Sequence, residues 1–397
     1  MAREPIDLIE RGYHLDLGEE TWLRELMIAA PWLDRGLGLT AYTYRIAGHR
    51  LEIDAFAMTN ATPEMEAAAR AMNDAPPWEG IVRAYLDTCF ASLKEAIGAA
   101  NDAALVDRVS HGLPPGVVDV LGLVAHDASG DGVVLAAPSA SPLVVKPAQV
   151  PRARRIAAHL AAALRLRRAL SERRSPVDAV LEPNGRLLHA EGDAREAAAR
   201  AALTAAVRAR DEARAQARRG ATDAIAGWTP RVEARWSLVD AEESDGKALV
   251  LAHVNELEIP EPSGLAPRER QVAICAALGW SNKLIAYTLG VSESSVASSL
   301  GSARRKLGYD SRVALAGGLQ RLATAPPLRE RSDRELLHLL TPAEHDVLEL
   351  VMRGATNAEI GRARGRAERT VANQVASLLR KLEAGSRTEL AAQLRAR

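Results

Sequence analysis

Cysteine is nearly absent from the chain, since only Cys89 and Cys275 occur among 397 residues. Two cysteines so far apart argue against a disulfide framework and against a cysteine-based metal cluster. No apolar run reaches the roughly 18–20 residues that cross a bilayer, and the first residues lack the apolar core of a signal peptide. We therefore expect a cytoplasmic protein that has no membrane partner.

Sequence motifs of catalysis are also missing. The chain contains neither the phosphate-binding loop pattern G-x-x-x-x-G-K-[ST] nor the nucleophile pattern G-x-S-x-G. The histidines His49, His111, His126, His159 and His189 are scattered, without the paired spacing of a metal site. We interpret them as structural or surface residues. The sequence predicts no enzymatic activity, no cofactor and no bound metal.

The net charge is zero, with 51 basic and 51 acidic residues, which at first argues against a nucleic-acid partner. The charge is unevenly distributed along the chain, however. Residues 265–397 hold 21 lysines and arginines against 13 aspartates and glutamates, a net of +8, so the preceding residues carry −8. This asymmetry is typical of a basic segment that faces nucleic acid and is joined to an acidic body.

The basic third of the chain contains an internal repeat. A shift of 75 residues aligns 265–316 with 340–391 without a gap, and 19 of the 52 aligned positions are identical. Two copies are too few for a solenoid, whose repeats must stack to bury their faces. The repeat therefore predicts two separate small domains.

Each copy has the sequence signals of four short helices around a tight turn. Gly290 and Gly365 fall in the two turns, where a positive φ is easily reached only by glycine. Beyond each turn, apolar residues at i, i+4, i+7 and i+11 predict one buried helical stripe. The stripes are Val296, Leu300, Ala303 and Leu307, and Val371, Val375, Leu378 and Leu382. The second copy also has the capping-box pairs Thr341/Glu344, Thr356/Glu359 and Ser386/Glu389.

The opposite face of each of these helices starts with polar side chains and ends with basic ones. A helix in the major groove reads bases with its N-terminal residues, while basic groups contact phosphates. Ser, Thr, Asn, Gln and Arg all have hydrogen-bonding groups that fit base edges. We therefore predict that this face contacts DNA. The candidates are Ser294, Ser295, Ser298, Ser299, Arg304, Arg305 and Lys306 in the first copy, and Arg369, Thr370, Asn373, Gln374, Arg380 and Lys381 in the second.

Both copies resemble the LuxR-type helix-turn-helix domain shared by quorum-sensing and response regulators. The matching segments are LAPRERQVAICAALGWSNKLIAYTLGVSESSVASSLGSARRKLGYDSR (265–312) and LTPAEHDVLELVMRGATNAEIGRARGRAERTVANQVASLLRKLEAGSR (340–387). The resemblance covers residues 263–397 and implies a four-helix DNA-binding domain whose third helix reads DNA. The last helix of the family often pairs domains, so the resemblance also suggests a homodimer.

Each copy departs from the family pattern. Ala297 and Ala372 stand where the family usually has a DNA-contacting lysine. Arg364 and Arg366 flank the second turn where the family has leucine and isoleucine. The two arginines should weaken the core, because two apolar groups are lost. They also add charge beside the DNA, so we count both among the candidate DNA contacts. We expect two weak domains that cooperate through a tether at 317–339. The alternative is that one copy serves dimerisation or protein binding.

The acidic N-terminal region contains sequence patterns that are typical of β-hairpins. Residues 40–58 and 118–137 each predict two strands around a short turn that contains glycine. A long helix with eight arginines and an apolar stripe follows at 151–174. Its arginines could contact phosphates or an acidic surface, but we interpret them as a solvated face. Strands closed by such a helix resemble a GAF-type sensor domain.

A second α+β segment follows this helix. Residues 177–190 and 231–254 predict hairpins, the first with an Asn-Gly turn, and a charged alanine-rich helix spans 195–219 between them. The stretch EPNGRLLHA is similar to the opening of PAS-like domains, whose sheets hold ligands or transmit signals.

Aromatic residues are few and concentrated at one end. The chain has two phenylalanines, six tryptophans and six tyrosines, and nine of these fourteen residues fall within 1–90. They could line an apolar pocket for a small ligand or simply pack in the core, and both explanations remain open. Among them are Trp22, Trp32, Tyr42, Tyr44, Phe56, Trp78 and Tyr85.

These patterns predict a multidomain protein. An α+β N-terminal sensor region, GAF-like over 1–172 and PAS-like over 173–258, precedes two all-α four-helix helix-turn-helix domains at 259–322 and 323–397. The expected function is one-component, sequence-specific regulation of transcription. The expected partners are double-stranded DNA and, at the acidic N-terminal region, a small-molecule or protein signal. The alternative is a regulatory adaptor whose helix-turn-helix domains bind proteins.

Overall fold

The structure is a computed structural model that describes most of the N-terminal region, the first helix-turn-helix copy and three helices of the second. The described residues are 5–47, 50–59, 89–99, 113–127, 129–172, 176–221, 223–242, 246–256, 264–309, 312, 315, 319, 342–352 and 355–381. The chain forms two compact units, 1–259 with 266–324 and 260–265 with 325–397. The first unit therefore joins the acidic region and the first copy, while the second copy belongs to the other unit.

The first sheet contains five antiparallel strands in the order β2-β1-β5-β4-β3. The strands are β1 Thr40–Ala47, β2 Arg50–Met58, β3 Phe90–Ser92, β4 Asp119–His126 and β5 Asp131–Ser139. The helices of this segment are α1 Pro5–Gly12, α2 Glu19–Ala29, α3 Leu93–Ala99 and α4 Val150–Ser171. The predicted strand pairs at 40–58 and 118–137 and the long helix after them are thus confirmed.

The aromatic residues of the N-terminal region are divided between the two faces of this sheet. Trp22 lies in the main core, where its Nε1 donates to the Gly12 carbonyl at 2.9 Å. Tyr42 and Phe56 stack with ring centroids 6.2 Å apart in a smaller cluster on the opposite face. For these three aromatic residues, the structure favours core packing over the lining of a ligand pocket. Trp78 and Tyr85 lie outside the described residues.

Helix α4 is the central helix of the first unit and packs against β4 and β5. Ile156, Leu160 and Leu164 are buried there, as the apolar stripe predicted. The interpretation of its arginines as a solvated face is wrong for at least three of them, one of which is Arg168, half-buried and paired with Asp54 and Asp131. Arg167 is buried and donates to the backbone carbonyls of two residues that follow α1, and Arg165 is half-buried and pairs with a carboxylate on another element. Their guanidinium groups reach acceptors that are far away in the sequence.

The second sheet has the order β7-β6-β9-β8 and is also antiparallel. Its strands are β6 Val177–Leu181, β7 Leu187–Ala190, β8 Trp236–Glu242 and β9 Ala248–Val254, and helix α5 spans Ala197–Arg218. Leu203 and Val207 of α5 pack into the core of this sheet. The hairpin at 177–190 is confirmed, whereas the strand predicted from Arg231 begins only at Trp236. The intervening residues cannot be strand, because Glu233 has a φ of 51° and the next residue a φ of 62°.

Asn255, directly after β9, joins this sheet to α4. Its buried side-chain amide donates to the Ala162 carbonyl at 2.9 Å and to Ser237 Oγ at 2.7 Å. Its Oδ1 accepts a hydrogen bond from Arg165 Nε at 2.8 Å, and the same guanidinium pairs with Asp127 at 2.7 Å. One side chain therefore satisfies polar groups from α4 and from β8.

The two repeat copies are helical in all their described elements. The helices are α6 Pro267–Ala277, α7 Asn282–Leu289 and α8 Glu293–Leu307 in the first copy, and α9 Pro342–Met352, α10 Asn357–Arg364 and α11 Glu368–Lys381 in the second. Only residues 312, 315 and 319 of the first copy's expected fourth helix are described. Thr341, Leu382, the Ser386/Glu389 pair and most of the tether lie outside the described residues. The GAF-like and PAS-like assignments and the domain boundaries stay predictions.

No helix among the described residues is both long and apolar enough to cross a membrane.

We expect Asn255→Ala to lower the free energy of unfolding of the first unit by about 3 kcal/mol, because it leaves several buried polar groups unpaired. Urea unfolding followed by tryptophan fluorescence measures this, since all six tryptophans belong to the first unit. Asn184→Ala is the matched control, because Asn184 makes its two hydrogen bonds on the exposed β6–β7 turn. Equal losses in the two variants would contradict the role assigned to Asn255.

Candidate nucleic-acid interface and its junction with the N-terminal body

The turn between α7 and α8 has the geometry predicted for it. Gly290 ends α7 with a φ of 64°, in the left-handed region. Ser292 then caps α8, because its Oγ accepts a hydrogen bond from the Ser295 amide at 3.1 Å. Val296, Leu300 and Ala303 are buried and Leu307 is half-buried, so three of the four positions of the predicted stripe are core. This packing fixes which face of α8 points outward.

The outward face of α8 contains the predicted DNA contacts of the first copy. Ser294, Ser298, Arg305 and Lys306 are exposed, while Ser295, Ser299 and Arg304 are half-buried. The position of the missing family lysine, Ala297, is exposed as well. Polar and basic groups therefore follow one another along the accessible side of this helix.

Lys306 has a structural partner within the same copy. Its Nζ lies 2.7 Å from the carboxylate of Glu269, which also accepts the Ala266 amide at the start of α6. The Lys306 hydrogen bond is the main cause that lowers the pKa of Glu269 to about 2, with Ser302 and the Ala266 amide contributing. Lys306 therefore ties α8 to α6, a role that the sequence did not predict.

The second copy repeats the turn and the core. Thr356 and Glu359 form the predicted capping box, with the Glu359 carboxylate accepting from the Thr356 amide at 2.7 Å. Gly365 ends α10 with a φ of 60°. Ile360 and Val371 are fully buried, and Val375 and Leu378 also belong to the core.

Arg364 of the second copy lies where the family pattern is apolar, and its side chain has polar partners. It is half-buried and donates to Gln374 Oε1 at 3.0 Å and to Asp346 at 3.3 Å. This places two predicted DNA-contact residues, Arg364 and Gln374, in contact with each other. Arg366 and Thr370 are exposed beside the turn. Arg369, Asn373, Arg380 and Lys381 belong to α11, but their side chains lie outside the described residues.

The first copy is joined to the N-terminal body through α7, which packs against α4. The Tyr287 hydroxyl donates to the Ile225 carbonyl at 2.9 Å and lies 3.0 Å from His159 Nε2. His159 Nε2 is also 2.8 Å from the Trp228 carbonyl. Because a carbonyl can only accept, the geometry assigns the ring proton to Nε2. Tyr13 approaches the other ring nitrogen with its hydroxyl at 3.4 Å.

His159 is fully buried, and this burial lowers its pKa from 6.5 to about 3, although the hydrogen bond to Trp228 opposes the shift. Burial likewise raises the pKa of Tyr287 well above its usual range. Both groups are therefore neutral at physiological pH. Together with Tyr13 and Trp228, His159 and Tyr287 form a group that we call the junction cluster.

A strained loop also contacts the turn of the first copy. The Ala234 amide donates to the Leu289 carbonyl at 2.6 Å, at the end of α7. A Cβ added at Gly290 would overlap the Arg231 carbonyl oxygen. Arg268 of α6 reaches Glu233 of the same loop at 2.9 Å. Residues 231–235, the docking loop, thus hold α6 and the α7–α8 turn on the body.

Sequence reasoning missed this junction. One signal was present, because His159 interrupts the apolar stretch IAAHLAAAL of α4 with a polar group. Its partners come from residues 225–228 and from α7, so no local pattern could identify them.

Comparison with known proteins identifies the repeated segments. A family model described as bacterial regulatory proteins, luxR family, matches residues 263–317 and 338–394. No curated protein matches the chain. Among solved structures, SdiA in complex with octanoyl-rac-glycerol is 13% identical and is matched over 81% of this chain and 93% of that chain, with a TM-score of 0.26. A TM-score this low supports no argument about the chain.

We expect Gly290→Ala to release the docking loop, because the added methyl group overlaps a backbone oxygen in addition to straining a positive φ. Hydrogen exchange at the Ala234 amide, which bonds to α7, should accelerate at least tenfold. Gly365→Ala is the matched control, because Gly365 has nearly the same φ and nothing within 4 Å of an added Cβ. It should show only the conformational cost of about 1–2 kcal/mol in its own copy. Unchanged Ala234 exchange in Gly290→Ala would contradict the contact.

We expect the first unit to lose stability as the pH falls below about 6.5. The unfolded chain takes up a proton at His159 near that pH, whereas the folded chain resists it down to about pH 3. At pH 5 this linkage amounts to about 2 kcal/mol. Urea unfolding at pH 7 and pH 5 measures it. His159→Gln should show a smaller pH dependence than the wild type, and an equal pH dependence of the two proteins would contradict this assignment.

Proposed function

Because two segments of the chain belong to the luxR family of bacterial regulatory proteins, we propose that it is a one-component, sequence-specific DNA-binding regulator of transcription. The accessible face of α8 carries this proposal. Ser294 and Ser298 are exposed near the N-terminal end of the helix and Arg305 near its C-terminal end. In a major groove, the serines would meet base edges and the arginine a phosphate.

The second copy would add a weaker contact on the same DNA. In this copy α11 would be the helix that reads DNA. Arg366 just before α11 and Thr370 in its first turn are exposed, whereas Arg364 is held by Asp346 and Gln374. Tethering the two copies raises the effective concentration of one once the other is bound, without any new contact. We assign the role of tether to the segment at 317–339. The last helix of each copy would pair two chains as a homodimer, as it often does in the family.

Signal reception is assigned to the acidic region, GAF-like over 1–172 and PAS-like over 173–258, which would receive a small molecule or a protein. The junction supports a mechanism for its output. In helix-turn-helix proteins the first helix of the motif crosses the DNA backbone while the second enters the groove. Here that first helix is α7, and the body holds it through Tyr287 and the turn at Gly290. DNA and the body would therefore compete for the first copy. The net charge of −8 on the body would attract the basic first copy and so strengthen its competition with DNA.

Selection of bound sequences from random duplex DNA with the full chain tests the proposal. We expect one enriched motif whose affinity falls steeply with salt, because neutralised phosphates release counterions. Arg305→Ala should weaken binding and reduce the slope of log K against log salt by about 1. Arg218→Ala removes an exposed helical arginine of the body and should leave the slope unchanged.

The adaptor alternative gives different outcomes in the same experiment. An adaptor would enrich no motif, and Arg305→Ala would then change only weak, sequence-independent binding. Combined substitution of Arg369, Asn373 and Gln374 by alanine tests the second copy. A regulator that reads DNA with both copies should lose half of the enriched motif, whereas an unchanged motif would assign the second copy to another role.

A further inference from the structure

A cavity of about 240 Å³ lies between the N-terminal body and the first copy, beside the junction cluster. Val124 of β4 and Ala157 of α4 line it from the body. The connection between α6 and α7 lines it from the first copy with Leu278 and Trp280, and α7 adds Leu284. Both partners of the junction therefore build this junction cavity.

Three polar side chains also line the junction cavity, namely Cys89, His126 and Arg154. Arg154 is exposed, and burial raises the pKa of the neighbouring Cys89 thiol while the charge of Arg154 opposes the shift. The rings of His126 and Trp280 are 6.3 Å apart and tilted by 58°. Among the described residues that line the cavity there is one guanidinium and no carboxylate, so the cavity is suited to an anion.

We propose that the junction cavity binds a small organic carboxylate with an apolar body, and that the bound molecule holds the first copy on the N-terminal body. A guanidinium presents two parallel donors that match a carboxylate. The leucine, valine and alanine side chains and the Trp280 ring would surround the apolar part. The volume is just below the roughly 300–1,000 Å³ of pockets for drug-sized ligands, so the occupant is smaller than those.

The position of the cavity couples binding to docking. Four of its lining residues, Leu278, Gly279, Trp280 and Leu284, belong to the first copy, so the complete site exists only while that copy is docked. A ligand that binds only this arrangement stabilises it by mass action. By reciprocity it lowers the affinity for any partner that needs the first copy released. This last consequence rests on the proposed function, whereas binding itself does not.

Calorimetric titration of the full chain tests the site without DNA. The probes are benzoate, phenylacetate and hexanoate, with benzyl alcohol, 2-phenylethanol and hexanol as their neutral counterparts. We expect at least one carboxylate to bind at least tenfold more tightly than its alcohol, since a charged pair is lost in the alcohol. Absence of binding by all three carboxylates, or equal binding of the alcohols, overturns the proposal.

Three variants locate the site. Arg154→Gln should weaken carboxylate binding at least tenfold, and Ala158→Leu, which fills the cavity, should abolish it. Arg200→Gln removes an exposed arginine of α5 and should bind like the wild type. Arg154 is exposed, so its variant keeps the test valid if the Ala158 variant does not fold. Wild-type affinity in Arg154→Gln overturns the proposal.

Hydrogen exchange separates bridging from simple binding. The carboxylate that binds should slow exchange in residues 278–290 on the first copy as well as at β4. Unchanged or faster exchange at 278–290 overturns the bridging role. Because neither readout contains DNA, failure of the DNA selection would contradict the proposed function and leave these results intact.

Discussion

The arrangement of the first unit depends on one buried hydrogen-bonded contact, between His159 of α4 and Tyr287 of α7. Around it meet the Trp228 and Ile225 carbonyls and the Tyr13 hydroxyl, so four distant parts of the chain share one cluster. Because the cluster is buried, water cannot replace a lost partner, and each unpaired group would cost free energy. Burial also keeps the imidazole neutral, so Nε2 donates to the Trp228 carbonyl while Nδ1, which faces the Tyr13 hydroxyl, carries no proton.

This contact gives the two copies of one repeat different surroundings. The first copy is held on the body by the junction cluster and by the docking loop at residues 231–235. The junction cavity lies at the interface between them. The second belongs to a separate unit. Its Arg364 replaces an apolar group of the family pattern and is satisfied by Gln374 and Asp346 within the same copy. The repeated sequence thus supports two copies of the fold, while neighbouring residues decide how each copy is held.

The elements that could be predicted from the sequence are those whose signals are local. Hairpins follow from alternating apolar residues with glycine at the turn, and the stripe of α8 follows from helical spacing. The arginines of α4 could not be predicted in the same way. Arg167 is buried because it finds carbonyls at His14 and Leu17, more than 140 positions earlier in the sequence. Glu233 likewise has a positive φ in a loop that contacts the first copy, although the pattern of its neighbouring residues predicts a strand.

By itself the sequence determined the family of the two repeated segments, the glycine turns, the capping box at Thr356 and the face of α8 that points outward. Each of these depends on residues within a few turns of one another. Only the tertiary structure decided that the first copy docks on the body, that Lys306 ties α8 to α6, and that a cavity opens beside Trp280. The physical reason is that these features arise where elements from distant parts of the chain meet. There, burial and hydrogen bonding to remote partners outweigh what any local pattern can indicate.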